Sequence, residues 1–395
     1  MDFSGHFHYQ RAMPLVTSTK DLAQLARRWV EAPYLTVDTE FVRTSTFFSR
    51  LCLVQVADAE GPVAIDVLAK GLALDPLIEV LKEKRVPKVF HAARQDLEIF
   101  WQMAGVIPSP IFDTQVAAMV CGFGESVGYD TLVKSLAGGH IDKSHRFTDW
   151  ARRPLSDAQV KYALDDVLHL RPVYEKLSQR LEASGRREWL DEEMKILTSP
   201  ETYVTRPEEA WKRIRVRNAS PRFLGRVQAL AAFRENEAVK RDVPRNRVIS
   251  DKDIMALASL NPATPDEIKN ANNISRALKE GKVPSQLAAI LGEAAQKPES
   301  ELPRVDKRED QGRAPAGLAE LLKVLLKQRC QDAGVASKLV ATSEEIEAFA
   351  GGGGKDAAFL KGWRYHLYGQ DAIKLVAGKL ALSATAKGLR VFETP

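Results

Sequence analysis

The sequence predicts a mixed α/β domain at the N-terminus, followed by all-α domains. In the first half, short runs of apolar and β-branched residues alternate with segments whose apolar residues recur every three or four positions. That alternation is typical of strands interleaved with helices in a layered domain. After about residue 195 the strand pattern stops and only helical spacing continues. Because 395 residues exceed what one hydrophobic core usually organises, two or three domains are expected.

Five short runs in the first half have the composition of strands. The first three are separated by polar or turn-forming residues and are predicted to form a meander. The five runs cover residues 34–38, 51–57, 63–66, 88–90 and 111–113. Apolar spacing predicts helices at about 74–85, 93–104, 114–121 and 156–183.

Linkers divide the chain into three predicted domains. The α/β domain is expected at residues 1–197, and two helical domains at 206–290 and 316–392. Residues 297–315 are charged, contain prolines and hold almost no large apolar side chains, which is typical of a linker. The glycine run 351–354 favours a flexible loop. It lacks the flanking strand and the Lys-Ser/Thr that a phosphate-binding loop requires.

The net charge of +5 is distributed unevenly along the chain. Residues 1–200 contain 24 Lys+Arg and 27 Asp+Glu, a net charge of −3, whereas residues 201–395 contain 33 and 25, a net charge of +8. The excess favours a polyanionic partner for the C-terminal half. An equally simple interpretation is that the surplus Lys and Arg side chains only solubilise exposed helix faces.

The sequence also predicts where the protein acts. No stretch approaches the roughly 20 apolar residues that cross a bilayer, and the first 14 residues lack the basic start and apolar run of a secretory signal. Cys52, Cys121 and Cys330 have no paired spacing, which argues against a disulfide framework or a zinc site. A cytoplasmic protein without a membrane partner is therefore expected.

Acidic residues at three places are candidates for a common site. Asp38 and Glu40 stand two apart at the end of a predicted strand, so both carboxylates project from one face and repel each other unless a cation neutralises them. Asp96 lies near the start of a predicted helix, and Tyr162 and Asp166 share a face of another. Each feature alone has a simpler explanation: a solvated strand edge, a helix-dipole contact or a core tyrosine.

Taken together, the four acids predict a divalent-metal site. Ligation by carboxylate oxygens alone suits Mg²⁺ or Mn²⁺, and the chain offers no His/Cys set for zinc. Two such ions would stabilise both the attacking and the leaving oxygen of a phosphodiester.

The order D-x-E, H-A-A-R-Q-D and Y-x-x-x-D resembles the DEDDy branch of the DEDD exonuclease superfamily. The neighbouring sequence is similar to the ribonuclease D family in particular, in DTEFVR at 38–43, the LxLxQ pattern that ends at Gln55, DTQ at 113–115, DKS at 142–144 and DWARRPLS at 149–156. The resemblance covers about residues 14–290. For residues 316–392 it rests on GWR at 362–364.

This resemblance implies a ribonuclease H-like exonuclease fold followed by helical HRDC domains. It implies a monomeric 3′→5′ exoribonuclease that releases 5′-mononucleotides from RNA 3′ ends, including those of tRNA precursors. The family pattern assigns two Mg²⁺ or Mn²⁺ ions to the four acids, Asp38, Glu40, Asp96 and Asp166, and assigns the attacking water to Tyr162. Five residues could contact the phosphate or terminal nucleotide, or equally brace the backbone: Arg43, Gln55, His91, Arg94 and Gln95.

Two rival functions fit parts of the sequence. A DNA 3′→5′ exonuclease would use the same acids, because discrimination between RNA and DNA rests on the 2′-hydroxyl. A non-catalytic RNA-binding adaptor would bind without turnover, although the intact acid set argues against it. Residues 206–247 carry 12 Lys+Arg against 5 Asp+Glu, which suits either RNA phosphates or packing. Trp211 and Phe223 in that segment are expected in the core.

Overall fold

The computed structural model describes residues 15–142, 144–216, 219–304, 316–386 and 388–394. The described residues fold into two compact units, one formed by those within 15–42, 51–203 and 316–394 and the other by those within 43–50 and 204–304. The predicted linker 297–315 is described only as far as residue 304, with a 3₁₀ turn at Glu299–Glu301. Lys143 of the DKS motif lies outside the described residues.

A six-stranded mixed sheet forms the centre of the first unit. Its strands are β1 Leu15–Val16, β2 Leu35–Val42, β3 Arg50–Asp58, β4 Gly61–Ile65, β5 Lys88–Phe90 and β6 Ile111–Asp113. They lie in the order β1-β4-β3-β2-β5-β6. β1 runs parallel to β4, β3 antiparallel to β4, and β2, β5 and β6 run parallel to one another. The central position of β2 buries residues 35–37 and Thr39 and leaves its later side chains, Asp38 and Glu40 among them, partly buried.

Helices connect and flank these strands. In the described residues they are α1 Thr19–Trp29, α2 Asp75–Lys82, α3 Arg94–Ala104, α4 Thr114–Val120, α5 Tyr129–Ala137, α6 Asp157–Ser184 and α7 Arg187–Leu197. The long helix α6 begins with a capping box in which Ser156 and Gln159 exchange hydrogen bonds, and it ends at Gly185 in the left-handed conformation. No helix in the described part of the chain combines the length and apolar character required to cross a bilayer.

The mixed α/β prediction is confirmed. All five predicted strands and all four predicted helices are present, with ends that differ by a few residues. The first predicted strand continues to Val42, so Asp38 and Glu40 lie within β2 rather than at its end. The sequence did not predict the two-residue strand β1 or the helices α1, α5 and α7.

The second unit is helical, as predicted for residues 206–290. Its helices are α8 Pro221–Arg241, α9 Arg245–Val248, α10 Asp251–Leu260, α11 Pro265–Asn270 and α12 Val283–Gln296, with 3₁₀ turns at Pro207–Arg213 and Arg276–Lys279. Trp211 and Phe223 pack, partly buried, against its apolar core. The buried Arg234 pairs with Asp251, so part of the basic surplus in this segment is internal.

The sequence segment between β2 and β3 groups with this second unit. Asp242 ends α8 in the left-handed conformation, with φ 46°. Its carboxylate accepts the backbone N–H groups of Phe47 and Phe48, each at 3.0 Å. The guanidinium of Arg245 lies 4.4 Å from the ring centroid of Phe47, and Arg245 also pairs with the buried Glu235. These contacts hold residues 43–50 within the helical unit.

The C-terminal block is helical only in part. Its helices are α13 Ala316–Ala333, α14 Ser337–Val340, α15 Ser343–Ala350, α16 Gly362–Arg364 and α17 Gln370–Val376, with a π turn at Tyr365–Gly369. The prediction of a helical domain to residue 392 is wrong at its end, because β7 Leu380–Thr385 and β8 Gly388–Glu393 form an antiparallel hairpin. Alternating side chains such as Leu389, Arg390 and Val391 favour a strand there.

This block belongs to the same compact unit as the sheet. Trp363 stacks on Trp189 of α7, with ring centroids 4.3 Å apart and planes 9° from parallel. Arg364 pairs with Glu193 and donates a hydrogen bond to the carbonyl of Leu339 at 2.7 Å. The C-terminal block is therefore packed against α7 by both apolar and charged contacts.

We expect Arg364→Ala to lower the free energy of unfolding by about 3 kcal/mol, because removing one partner of a buried ion pair leaves the other charge uncompensated. The side chain of Glu193, the remaining partner, is only 13% exposed. Urea unfolding followed by tryptophan fluorescence measures the change. Lys361→Ala removes an exposed ion pair to Asp356 and is the control, with an expected change of no more than about 0.5 kcal/mol. Equal changes in both variants would contradict the prediction.

Candidate active site

Three of the four predicted acids converge. Asp38 and Glu40 of β2 and Asp166 of α6 each offer a carboxylate oxygen, and these atoms all lie within 4.8 Å of one another. Strand alternation puts the first two on one face of β2. Helix α6 is held against this strand by a hydrogen bond of 2.8 Å from the Thr36 hydroxyl to the carbonyl of Val167. Because Val167 follows Asp166, this hydrogen bond fixes the position of Asp166 along β2.

Asp96 lies beside this trio rather than within it. It stands in the first turn of α3, is 7% exposed, and accepts a hydrogen bond from the hydroxyl of Thr39, which lies between Asp38 and Glu40. Burial and the charge of Asp38 raise the pKa of Asp96 well above its usual range. The fourth acid is therefore electrostatically coupled to β2.

Crowding and partial burial of these carboxylates disfavour their charged forms. Burial makes the largest contribution to the raised pKa values of Asp38, Glu40 and Asp166. The charges of neighbouring acids raise the pKa of Glu40 and of Asp166 further. A cation reverses this preference by supplying opposite charge. The oxygen-only donor set and the short separations fit a divalent cation such as Mg²⁺.

Tyr162 lies one turn before Asp166 on α6, and its hydroxyl is placed to hydrogen-bond to the Asp166 carboxylate, an interaction that lowers the pKa of Asp166. Burial and the neighbouring acids raise the pKa of Tyr162 far above its usual value. Its ring packs near Trp150, with centroids 6.0 Å apart. A hydroxyl that stays protonated at neutral pH can orient a water molecule but cannot act as a base.

The DTQ motif braces the turn that leads from β5 into α3. The carboxylate of Asp113 accepts the backbone N–H groups of Ala92 and Ala93 at 3.1 and 2.8 Å. It also caps α4 by accepting those of Gln115 and Val116 at 2.8 and 3.3 Å. Ala92 has φ 58°, a strained conformation for a residue with a side chain. The motif thus holds the backbone that positions α3 and its acid.

His91 lies in the same turn and faces the site. Its Nδ1 is 2.9 Å from the hydroxyl oxygen of Thr114, and its ring centroid is 5.1 Å from that of Tyr129. Burial lowers the pKa of His91, which favours a neutral ring. The Tyr129 hydroxyl donates to the backbone carbonyl of Asp166. His91 can therefore brace this corner or contact a substrate.

A cavity of about 310 Å³ opens beside the carboxylates. Its lining residues are Asp38, His91, Ala92, Gln115, Gly128, Tyr129, Asp130, Ile141, Arg146, Tyr162, Asp166 and Leu170. The sequence interpretation missed Gln115, Tyr129 and Arg146 as candidate site residues. Gln115 could have been identified from the sequence, because it ends the DTQ motif. Arg146 lies in a loop without periodicity and could not.

Four predicted substrate contacts do not line this cavity. Arg43, Arg94 and Gln95 are exposed, and their proposed contacts with RNA stay predictions. Gln55 is fully buried in β3, and neither polar atom of its side chain hydrogen-bonds to any residue that the structure describes. A side chain with no solvent-exposed surface cannot contact a nucleotide, so the prediction that Gln55 contacts the substrate is wrong for this structure.

Comparison with known families agrees with this geometry. Residues 13–182 match the family described as 3′-5′ exonuclease, and residues 223–290 match the HRDC domain. Fold and site together define the class: a 3′-5′ exonuclease joined to an HRDC domain.

Individual relatives narrow the class. Ribonuclease D of Jannaschia sp. is 47% identical over 96% of this chain and 99% of its own length. That of Acidiphilium cryptum is 46% identical over 96% and 97%. The crystal structure of Escherichia coli RNase D aligns with a TM-score of 0.80 at 28% identity, covering 93% of this chain and 99% of that one. The chain belongs to the ribonuclease D family and is a 3′-5′ exoribonuclease.

Proposed function

We propose that this exoribonuclease removes 5′-mononucleotides one at a time from the 3′ ends of structured RNAs, tRNA precursors among them. The observation that carries the proposal is the convergence of the Asp38, Glu40 and Asp166 carboxylates within 4.8 Å of one another. Asp38 and Asp166 line a cavity that is also lined by Tyr162. The Escherichia coli relative is described as an exoribonuclease involved in structured RNA processing, which supports this substrate class.

The acids are proposed to hold two divalent cations, Mg²⁺ or Mn²⁺. Asp38, Glu40 and Asp166 would hold one ion, and Asp38 and Asp96 would hold the second. When bound, such ions neutralise the acids, increase the acidity of water and stabilise charge on the oxygens around phosphorus. The raised pKa values of the acids support this assignment, because the carboxylates repel one another without a cation.

The remaining residues position the reactants. The protonated hydroxyl of Tyr162 orients the attacking water, while Trp150 holds its ring. Water attacks phosphorus and loses a proton to solvent. The bond from phosphorus to the 3′-oxygen of the preceding nucleotide breaks, that oxygen takes up a proton to become a 3′-hydroxyl, and a 5′-mononucleotide leaves. His91 contacts the terminal nucleotide from the braced turn, and Arg43, Arg94 and Gln95 are proposed to contact RNA outside the cavity.

The helical domains are proposed to hold the body of the RNA. Residues 206–290 form the HRDC domain, whose excess of Lys and Arg favours phosphate contacts. The helical part of the C-terminal block, residues 316–379, is proposed to be a second, divergent HRDC-like element, whereas the β7–β8 hairpin at its end is given no contact with RNA. We propose that the protein works as a monomer in the cytoplasm, which agrees with its widely spaced cysteines.

A time course on 5′-labelled RNA tests the proposed reaction. The substrate is a stem with a single-stranded 3′ extension, incubated with Mg²⁺ and with or without chelator. We expect a ladder that shortens from the 3′ end in steps of one nucleotide, stops on chelation and resumes when excess Mg²⁺ is added.

The same assay with matched DNA separates the rival functions. Clear preference for DNA would support a DNA exonuclease, because contacts to the 2′-hydroxyl decide that choice. Binding of RNA without shortening, in either Mg²⁺ or Mn²⁺, would support an adaptor. Shortening that continues in chelator would reject the metal assignment.

A further inference from the structure

The loop that precedes α6 carries an exposed aromatic ring beside the cavity. Phe147 is 91% exposed. It directly follows Arg146, which lines the cavity together with Asp38 and Asp166. The guanidinium carbon of Arg146 lies 5.4 Å from the ring centroid of Phe147. A cation and an open aromatic face therefore occur side by side at the entrance to the carboxylates.

Hydrogen bonds and packing hold the residues that follow Phe147, whereas its own ring is exposed to solvent. The hydroxyl of Thr148 donates to the carbonyl of His145 at 2.9 Å, and the side chain of Gln159 donates to the Thr148 hydroxyl at 3.2 Å. Trp150 is 2% exposed in the core. Gln159 thus ties the C-terminal side of the loop to the start of α6, and the hydrogen bond between Thr148 and His145 closes the turn that presents Phe147 outward.

Arg146 has the charge and position to bind an anion. It lines the cavity together with Asp38 and Asp166, which places it close to the acid cluster. Within the described residues, no ion pair joins its guanidinium to a carboxylate. A planar guanidinium binds phosphate oxygens in pairs, and an RNA end that reaches the carboxylates brings backbone phosphates to this position.

One exposed phenylalanine is by itself unremarkable on a protein surface. Beside an arginine whose guanidinium can bind phosphate it offers a stacking face, because every backbone phosphate is flanked by nucleotides that carry bases. We infer that Arg146 binds a backbone phosphate near the RNA 3′ end and that Phe147 stacks on an adjacent base. The inference rests on the proposed function. Stacking tolerates every base because each has a π-face, which suits an enzyme that removes any nucleotide.

Phe147→Ala tests the stacking contact in single-turnover digestion of a 5′-labelled unstructured decamer with Mg²⁺. The half-saturating enzyme concentration should rise about tenfold, the range measured for loss of one stacked base. The maximal rate should change by less than about twofold, since only binding is affected. An RNA that lacks bases at its last three positions should bind both proteins equally, and Phe147→Trp should restore wild-type binding.

Phe392→Ala is the matched control. Phe392 is 40% exposed in β8, and the guanidinium carbon of Arg390 lies 5.8 Å from its ring centroid, so it reproduces the pair away from the cavity lining. Its replacement should leave RNA binding unchanged. If the wild type digests RNA but Phe147→Ala binds it as tightly as the wild type, the stacking inference alone is overturned. The same holds if Phe147→Ala weakens binding equally for RNA with and without bases at its last three positions. Failure of the wild type to digest RNA overturns the proposed function.

Arg146→Ala tests the phosphate contact through its salt dependence. The slope of log K against log [salt] should fall by about 0.7, the value for one phosphate contact on a single strand. Arg146→Lys keeps the charge and should keep the slope. A changed Mg²⁺ requirement with unaltered RNA affinity would instead show that Arg146 only offsets the acids, and would overturn the phosphate contact.

Discussion

Replacement of Asp38 or Asp166 by Asn is expected to reduce nucleotide release on the order of a thousandfold or more. Each variant removes a carboxylate from the trio that lies within 4.8 Å, and a neutral amide cannot replace its charge toward a divalent cation. RNA affinity should change by less than about threefold, because the basic residues of the helical unit remain. Initial rates on labelled RNA and binding by fluorescence anisotropy measure the two effects.

The same variants should be more stable than the wild type in the presence of chelator. Burial raises the pKa of Asp38 and of Asp166 above the unfolded value of a carboxyl, so the charged acid destabilises the folded state once the pH exceeds that unfolded value. Asn removes the cost, and Tm should rise by roughly 2–4 °C for each kcal/mol relieved. Below the unfolded pKa the acids are protonated in both states and the difference should vanish.

Asp165→Asn is the control for both measurements. Asp165 adjoins Asp166, but it is turned away from the trio and pairs with Lys161 near the surface. We expect wild-type activity and nearly wild-type Tm from it. Full activity of Asp38→Asn, or a lower Tm than that of the wild type in chelator, would contradict the assignment of the acid cluster.

Local periodicity predicted those parts of the site that depend on one element. Alternation along β2 put Asp38 and Glu40 on one face, and helical spacing put Tyr162 and Asp166 together. Convergence of the two elements is tertiary, and it was indicated by the shared chemistry of the four acids and by the family resemblance rather than by any local pattern. The position of Asp96 outside the trio depends on how the start of α3 meets Thr39, which no local pattern encodes.

The prediction for Gln55 failed because of burial, and other contacts were missed because they form only in the folded chain. The amide of Gln55 looked available because the sequence did not reveal that nearly all of β3 is buried; strands covered on both faces hide even their polar residues. Arg146 and Tyr129 lie on different elements from the recognised acids and reach the cavity only in the folded chain. The stack between Trp189 and Trp363 likewise joins parts of the chain that the domain prediction had separated.

Tyr162→Phe is expected to slow nucleotide release by about a hundredfold or more, the loss that removal of one preorganised hydrogen-bonding group at a reacting centre typically causes. The ring keeps its contact with Trp150, so the free energy of unfolding should fall by no more than about 1.5 kcal/mol, the value of one hydrogen bond. Because the pKa of Tyr162 is raised far above neutrality, the pH–rate profile between about pH 6 and 9 should keep its shape while its height falls. A changed shape would contradict a purely orienting hydroxyl.

Tyr203→Phe provides the matched loss of a hydroxyl. The Tyr203 hydroxyl donates to the carbonyl of Leu197 at 2.7 Å in the same compact unit, and Tyr203 is not among the residues that line the cavity. Its replacement should cost similar stability and leave the rate unchanged. If Tyr162→Phe also kept the wild-type rate, the hydroxyl would not hold the attacking water, and the metal site alone would have to position it.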